Sequence, residues 1–246
     1  MKKGLAELVF ILDRSGSMGG LETDTIGGFN SMLEKQKKED GEANVTTVLF
    51  DDQIEVVHDR FPIEAVKPLT DEDYFVRGST ALLDAIGSTV KKIENVQKRL
   101  PDELKSENVI FVITTDGCEN SSSEYTVKMV RKMIEEQQER GWQFIFMGAN
   151  MDAVAEAGKL GINKNHAVSY ENDSEGVALN YAASSRVLSN MRVGCFPKEW
   201  LEKEIHEAFE PIKRHKKKQI KCKGGATCRI YQRAISMIWI VRLLRH

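Results

Sequence analysis

Two uninterrupted apolar runs constrain the fold of this chain more than any other feature. The first is Leu-Val-Phe-Ile-Leu at residues 8–12, and the second is Val-Ile-Phe-Val-Ile at residues 109–113. A half-exposed strand alternates apolar and polar residues, whereas a parallel strand covered by helices on both faces is apolar throughout. The two runs therefore predict buried strands at the centre of a parallel sheet.

Strand and helix patterns alternate along the rest of the chain. Further strands are predicted at residues 45–50, 54–58, 144–147 and 166–170. The first two of these flank the polar turn Asp51-Asp52-Gln53 and predict a hairpin. Apolar residues at helical spacing lie in residues 26–33, 82–93, 127–134 and 177–191. This order predicts an α/β fold: a doubly wound, Rossmann-like three-layer sandwich whose six-stranded sheet is mostly parallel with one antiparallel edge hairpin strand.

The charge is divided unevenly between two parts of the chain. The 246 residues have a formal net charge of −2, but residues 1–210 hold all 37 acidic residues and 24 of the 35 basic ones. Residues 211–246 hold the other 11 basic residues and no acid. We therefore predict a domain over residues 1–195, a C-terminal helix over 196–210, and a basic tail over 211–246 that is poorly ordered or forms a short helix.

Polar residues follow the apolar runs at the positions where an open α/β sheet binds its ligands. Asp13, Ser15 and Ser17 come directly after the first run, and Asp116 follows the central one. Thr80, in Gly-Ser-Thr, supplies a further hydroxyl just before a predicted helix. Carboxylate and hydroxyl oxygens suit a hard divalent cation such as magnesium.

These residues resemble the metal-ion-dependent adhesion site of von Willebrand factor type A domains. Its three parts occur in order: Asp-x-Ser-x-Ser at residues 13–17, Thr80 about 65 residues later, and Asp-Gly at 116–117. The resemblance covers roughly residues 4–190. More specifically, the chain resembles the small intracellular bacterial proteins that are built around one such domain.

The resemblance implies that the Ser15 and Ser17 hydroxyls bind Mg²⁺ or Mn²⁺ directly. Asp13 and Asp116 would act directly or through water, and Thr80 would bind the metal directly once a ligand is present and through water otherwise. In the family, a carboxylate from a partner protein completes the metal site. The implied function is a metal-dependent protein-binding module without catalysis.

Enzymes that use magnesium are the main alternative to a binding module. A phosphotransferase of the haloacid dehalogenase type also has an aspartate after its first strand, but it needs a second acid two positions later. That position is Ser15 in this chain, and no glycine-rich phosphate loop with its lysine occurs. A Mg²⁺-dependent, phosphatase-like hydrolase is the alternative function.

The basic tail allows several interpretations. The compact run Lys-Arg-His-Lys-Lys-Lys at residues 213–218 is of a kind that most often forms a solvated face or a disordered arm. Binding to nucleic acid, to an anionic membrane surface, or to the acidic body of the same chain are the alternatives. A frameshifted or fused terminus would also explain the loss of acids after Glu210.

The location is predicted to be cytoplasmic. No apolar run approaches the roughly 18 residues of a transmembrane helix, and Glu7 interrupts the apolar stretch that a signal peptide would need. The four cysteines show no disulfide spacing and are read as reduced thiols. Near the site, Asp84 is expected to be a surface or supporting acid, and Cys118 an incidental thiol.

Overall fold

A computed structural model describes residues 1–192 and 202–218 of the chain, with the side chain of Lys3 left out. The strands are β1 (Lys2–Asp13), β2 (Ala43–Phe50), β3 (Ile54–Pro62), β4 (Ser106–Thr115), β5 (Gln143–Ala149) and β6 (Ala167–Tyr170). The helices are α1 (Glu22–Gln36), α2 (Leu82–Arg99), α3 (Val127–Glu139), α4 (Ala153–Lys159) and α5 (Ser174–Arg192), followed by helical residues 202–218, named α6.

The six strands form one sheet in the order β3-β2-β1-β4-β5-β6. Every neighbouring pair is parallel except β2 and β3, which form the predicted antiparallel hairpin at the edge. The predicted fold class is confirmed, including the number of strands and the single antiparallel strand. Strands β2 and β3 extend the sheet from one side of β1, and strands β4 to β6 extend it from the other side, so the strand order reverses at β1.

The central strand β1 is buried on both faces, as its apolar run predicts. Leu8, Phe10 and Leu12 pack into a core with α1, α5 and α6, while Val9 and Ile11 pack into a second core with α2, α3 and α4. The alternation of side chains along a strand sends neighbouring residues to opposite layers. Both layers need an apolar partner, and this explains the absence of a polar residue from the run.

Two helices of the structure lie outside the sequence prediction or extend beyond it. Helix α4 has seven residues, and only Ala153 and Ala157 of them are buried, so its apolar pattern is too short to stand out in the sequence. Helix α6 continues through Pro211 to residue 218. It packs against the body through Ile205, Phe209 and other apolar residues.

The predicted division of the chain at residues 195 and 210 stays a prediction. Helix α6 spans the second of these boundaries, and residues 193–201 and 219–246 lie outside the described residues. His215, from the predicted basic tail, is buried and lies 3.0 Å from the carboxylate of Asp173. Within residues 1–192 and 202–218, no helix is long and apolar enough to cross a membrane.

Candidate metal centre

The loop after β1 folds back on itself through its own polar groups. Asp13 ends the strand, and its Oδ1 accepts a hydrogen bond of 2.7 Å from the backbone N–H of Ser15. A short 3₁₀ turn from Gly16 to Met18 then brings the hydroxyls of Ser15 and Ser17 to 3.1 Å from each other. Alternate residues of this loop therefore direct their oxygens to one place.

The end of β4 lies beside this loop because β1 and β4 are parallel neighbours. The Thr115 hydroxyl donates to Asp13 Oδ2 at 2.5 Å, and the Ser17 hydroxyl donates to Asp116 Oδ1 at 2.6 Å. Four of the five predicted residues, Asp13, Ser15, Ser17 and Asp116, are thus joined by direct hydrogen bonds, and Thr115 adds a further contact to Asp13.

Thr80 reaches the same edge of the sheet from the loop before α2. It is buried, and its backbone N–H donates to Asn120 Oδ1 at 2.9 Å. Its hydroxyl lies against Gly117: a Cβ added to that glycine would be 2.6 Å from Thr80 Oγ1. Thr80 is therefore packed against the backbone next to Asp116, and the glycine at 117 makes this approach possible.

The two carboxylates of the cluster are held in an unfavourable electrostatic setting. Burial raises the pKa of Asp13 above its ordinary value. Burial also raises the pKa of Asp116, and the nearby charge of Asp13 raises it further. In the part of the chain that the structure describes, no lysine or arginine forms an ion pair with either carboxylate. Uncompensated acids beside hydroxyl oxygens are a donor set that suits a hard cation.

The composition of the cluster differs from that of a site built from acids, histidines or cysteines. Among residues 1–192 and 202–218, no three side chains of those types come together as a metal-binding group. The cluster described above has only two side chains of those types, together with three hydroxyls. It is therefore not the kind of group to which this absence applies. A magnesium ion commonly binds one or two carboxylates and keeps several waters.

The loop after β4 is fixed to the start of α2 by two acids. Asp84 is buried and accepts hydrogen bonds from the backbone N–H groups of Ser123, Glu124 and Tyr125. Glu119 accepts from the backbone N–H of Leu83. Asp84 therefore supports the loop that follows Asp116 and does not face solvent.

Sequence reasoning missed one residue that contacts the cluster. Asn172, in the loop after β6, donates from Nδ2 to Asp116 Oδ2 at 3.0 Å, and its backbone N–H donates to Asn150 Oδ1. Asn172 follows a weak four-residue strand and belongs to no recognisable motif. Cys118 is exposed near the same edge, and the other three cysteines lie outside the described residues.

A second cluster of charged residues lies beside the predicted ligands and includes Arg14, the residue between Asp13 and Ser15. Asp51, fully buried in the turn between β2 and β3, accepts hydrogen bonds from Arg14 and Arg77. Burial raises the pKa of Asp51, but the hydrogen bond from Arg77 and the charges of both arginines more than offset this and lower it.

No protein-family model and no curated protein sequence matches the chain. Solved structures do match its fold. Proximal thread matrix protein 1 from the mussel byssus superposes with a TM-score of 0.52 at 13% sequence identity, over 76% of this chain and 47% of that protein. This chain therefore spans about half the length of the mussel protein.

Two other matches are informative about the type of domain. The mussel protein with a zinc-occupied metal-ion-dependent adhesion site motif gives a TM-score of 0.51 at 15% identity, over 76% of this chain and 46% of that one. The von Willebrand factor domain of the type V pilus tip protein Mfa5 from Porphyromonas gingivalis gives 0.52 at 11% identity, over 78% of this chain and 97% of that domain. The chain therefore has the von Willebrand factor type A fold.

Proposed function

We propose that this domain binds Mg²⁺ or Mn²⁺ through Asp13, Ser15, Ser17, Thr80 and Asp116, and that the bound metal recognises a carboxylate of a partner protein. The observation that carries the proposal is the pair of uncompensated carboxylates beside three hydroxyl groups at the carboxyl edge of the sheet. Ser17 is exposed, so the cluster is open to solvent and to a partner.

Each residue has a part that follows from its contacts. The hydroxyls of Ser15 and Ser17 lie side by side and supply two neutral oxygens. Asp13 is oriented by the Ser15 backbone and by Thr115, and Asp116 is oriented by Ser17. A bound divalent cation would supply a coordination position that a partner's carboxylate can fill. A bound divalent cation balances the negative charges of the two aspartates, and without the metal these charges would repel a partner's carboxylate.

The comparisons support a metal-binding site of this kind. The mussel structure holds zinc in its adhesion-site motif, and it shares the fold of this chain. The oxygen-only donor set favours Mg²⁺ or Mn²⁺ here, because zinc sites in proteins are built mostly from cysteine and histidine. The preference for a binding role over catalysis rests on Ser15, which cannot serve as the second acid of a phosphotransferase.

The cytoplasmic location and the roles of the tail stay predictions. Cys118 is the one cysteine among the described residues, and it is an exposed free thiol. Lys213 and Arg214 each lie within 4 Å of Glu210 on the same helix, so part of the basic run is paired locally.

The metal site is tested by titrating metal-stripped protein with MnCl₂ or MgCl₂ in a calorimeter. We expect one site per chain, and Asp13→Ala should weaken binding beyond detection. Asp71→Asn is the matched control, because Asp71 is an exposed acid outside the cluster. Equal binding by wild type and Asp13→Ala would refute the assignment.

The partner is tested by affinity capture in Mg²⁺ and in EDTA, with wild type and Asp13→Ala as baits. A specific protein should be retained only by wild type in Mg²⁺, and mutation of its contacting acid should release it. An unchanged set of captured proteins would contradict the carboxylate bridge. A Mg²⁺-dependent phosphatase activity that Asp13→Asn abolishes would overturn the binding role in favour of the enzyme.

A further inference from the structure

A buried ion cluster lies next to the proposed metal site, and the proposed metal binding does not use it. Asp51 is fully buried; its Oδ2 accepts from Arg14 Nε at 3.2 Å and from Arg77 Nε at 2.5 Å. The three residues come from three separate segments of the chain. Arg14 follows Asp13 in the first loop, and Arg77 lies three residues before Thr80. Asp51 therefore joins the two segments that carry the hydroxyl ligands.

Backbone hydrogen bonds run parallel to this ionic contact. The Arg77 N–H donates to the Arg14 carbonyl at 2.9 Å, and the Gly16 N–H donates to the Gly78 carbonyl at 3.2 Å. The carbonyl of Asp51 accepts from the N–H of Ala81 at 2.8 Å, just after Thr80. Thr80 therefore has Asp51 contacts on both sides of it along the chain.

The side chains of Arg14 and Asp51 are fully buried, whereas the side chain of Arg77 is 36% exposed. The Arg14 side chain is fully buried, and its second ion pair is with Glu55 at 2.8 Å. The ring of Phe75 lies 5.4 Å from both guanidinium groups. Burying charges in this way gives little net stability compared with an apolar replacement, so the cluster calls for a role in geometry.

We propose that Asp51 is a positioning residue that acts through Arg77 to hold the Thr80 hydroxyl in place relative to Ser15 and Ser17. The proposal rests on the proposed metal site. Neither Asp51 nor Arg77 would bind the metal; they would fix the distance between the first loop and the Thr80 segment. Loss of the Asp51–Arg77 contact should therefore weaken metal binding by no more than the loss of the Thr80 hydroxyl does.

Arg77→Met separates this role from simple electrostatics. Removal of a positive charge near a cation site favours metal binding by Coulomb's law. A loss of affinity in Arg77→Met must therefore come from displaced ligands. This variant keeps the buried Arg14–Asp51 pair, so we expect it to fold, with circular dichroism as the check. Asp51→Asn is the second variant, and Asp71→Asn is its control because Asp71 is an exposed acid outside the cluster.

The experiment is a double-mutant cycle measured by calorimetric titration with MnCl₂. We expect Arg77→Met and Asp51→Asn to bind Mn²⁺ about 10-fold more weakly, as for other residues that orient metal ligands. In a Thr80→Ala background, Arg77→Met should cause no further loss, because the positioned group is gone. Asp71→Asn should bind within about 2-fold of wild type, since it removes only an exposed charge.

Two results would overturn the positioning role. One is wild-type affinity in folded Arg77→Met, and the other is an equal loss from Arg77→Met with and without Thr80. Failure of the proposed metal site gives a different result, because wild type itself would then bind no Mn²⁺. If wild type binds and Asp13→Ala does not, the cycle tests Asp51 alone.

Discussion

Replacement of Asp13 by asparagine should make the metal-free protein more stable and remove its response to metal. The wild-type carboxylate is buried next to a second acid, without a cationic partner in the described residues. Asparagine has nearly the same shape and no charge. The variant therefore relieves the burial of a charge, and it also removes a proposed metal ligand.

The hydrogen bonds of Asp13 can be kept almost unchanged in this variant. The asparagine Oδ1 can accept from the Ser15 N–H, as the carboxylate does at 2.7 Å. Its amide can donate to the Thr115 hydroxyl, whose own proton can then turn to the Gly117 carbonyl at 3.2 Å. We expect this exchange to cost about 0.5–1 kcal/mol. Removal of the buried charge, which has no cationic partner among the described residues, should stabilise the fold by more than this cost. We therefore expect the free energy of unfolding to rise by about 1–2 kcal/mol in total.

Thermal unfolding in EDTA and in Mg²⁺ measures both effects. In EDTA, Asp13→Asn should melt about 2–6 °C above wild type. At a free Mg²⁺ concentration of about 100 times Kd, wild type should gain about 2.7 kcal/mol and the variant nothing, so the order of stability reverses. Asp71→Asn should behave like wild type in both buffers. A variant that melts below wild type in EDTA, or that gains as much from Mg²⁺, would refute the reasoning.

The remaining predictions concern the scaffold and the tail. A Cβ on Gly28 would lie 2.3 Å from the ring of buried Tyr181, so Gly28→Ala should lower the free energy of unfolding in urea by about 1–3 kcal/mol. Gly27→Ala has open space and should raise it by about 0.5–1 kcal/mol; equal effects would contradict this packing. The pKa of Glu94 is lowered from 4.5 to about 2, because hydrogen bonds from Lys98, Arg140 and Gln137 outweigh the effect of burial. The stability that the ionised Glu94 contributes is therefore present above pH 4.5 and is lost as the pH falls toward 2. Because its cationic partners are half exposed, Glu94→Gln should be less stable than wild type by about 1–2 kcal/mol at pH 6, and a difference that does not shrink at pH 2.5 would count against the assignment. Deletion of residues 219–246 keeps α6 and should leave metal affinity unchanged, while a salt-dependent loss of DNA or liposome binding would assign the tail a function.

The central part of the fold follows from local patterns that can be read in the sequence. The apolar runs at residues 8–12 and 109–113 lie in β1 and β4, and the turn at 51–53 joins β2 to β3. These signals are strong because each depends on residues that are neighbours in the chain. The candidate ligands could be chosen for the same reason, since each follows the end of a strand or precedes a helix.

Other features depend on contacts between distant residues and could not be predicted from local patterns. Glu7 is a fully buried acid within β1, where the strand pattern calls for an apolar residue. Its carboxylate accepts three hydrogen bonds of 3.0–3.1 Å from Arg60, 53 residues later, and Arg60 has a left-handed φ of 53°. Asn172 reaches Asp116 across 56 residues. No spacing rule connects such pairs before the sheet has formed.

Because Gly117 and Thr80 are in contact, the residue type at one of these positions restricts the residue type at the other, although they are 37 residues apart in the chain. Any side chain at 117 would bring a Cβ to 2.6 Å from Thr80 Oγ1 and to 3.3 Å from its methyl group. Proteins of this fold that have a larger residue at the position of Gly117 would need to displace the threonine or replace it. The pair therefore gives a two-position criterion for sorting relatives: a glycine with a threonine marks chains that can present this hydroxyl at the sheet edge, and a side chain at the first position marks chains that have lost it.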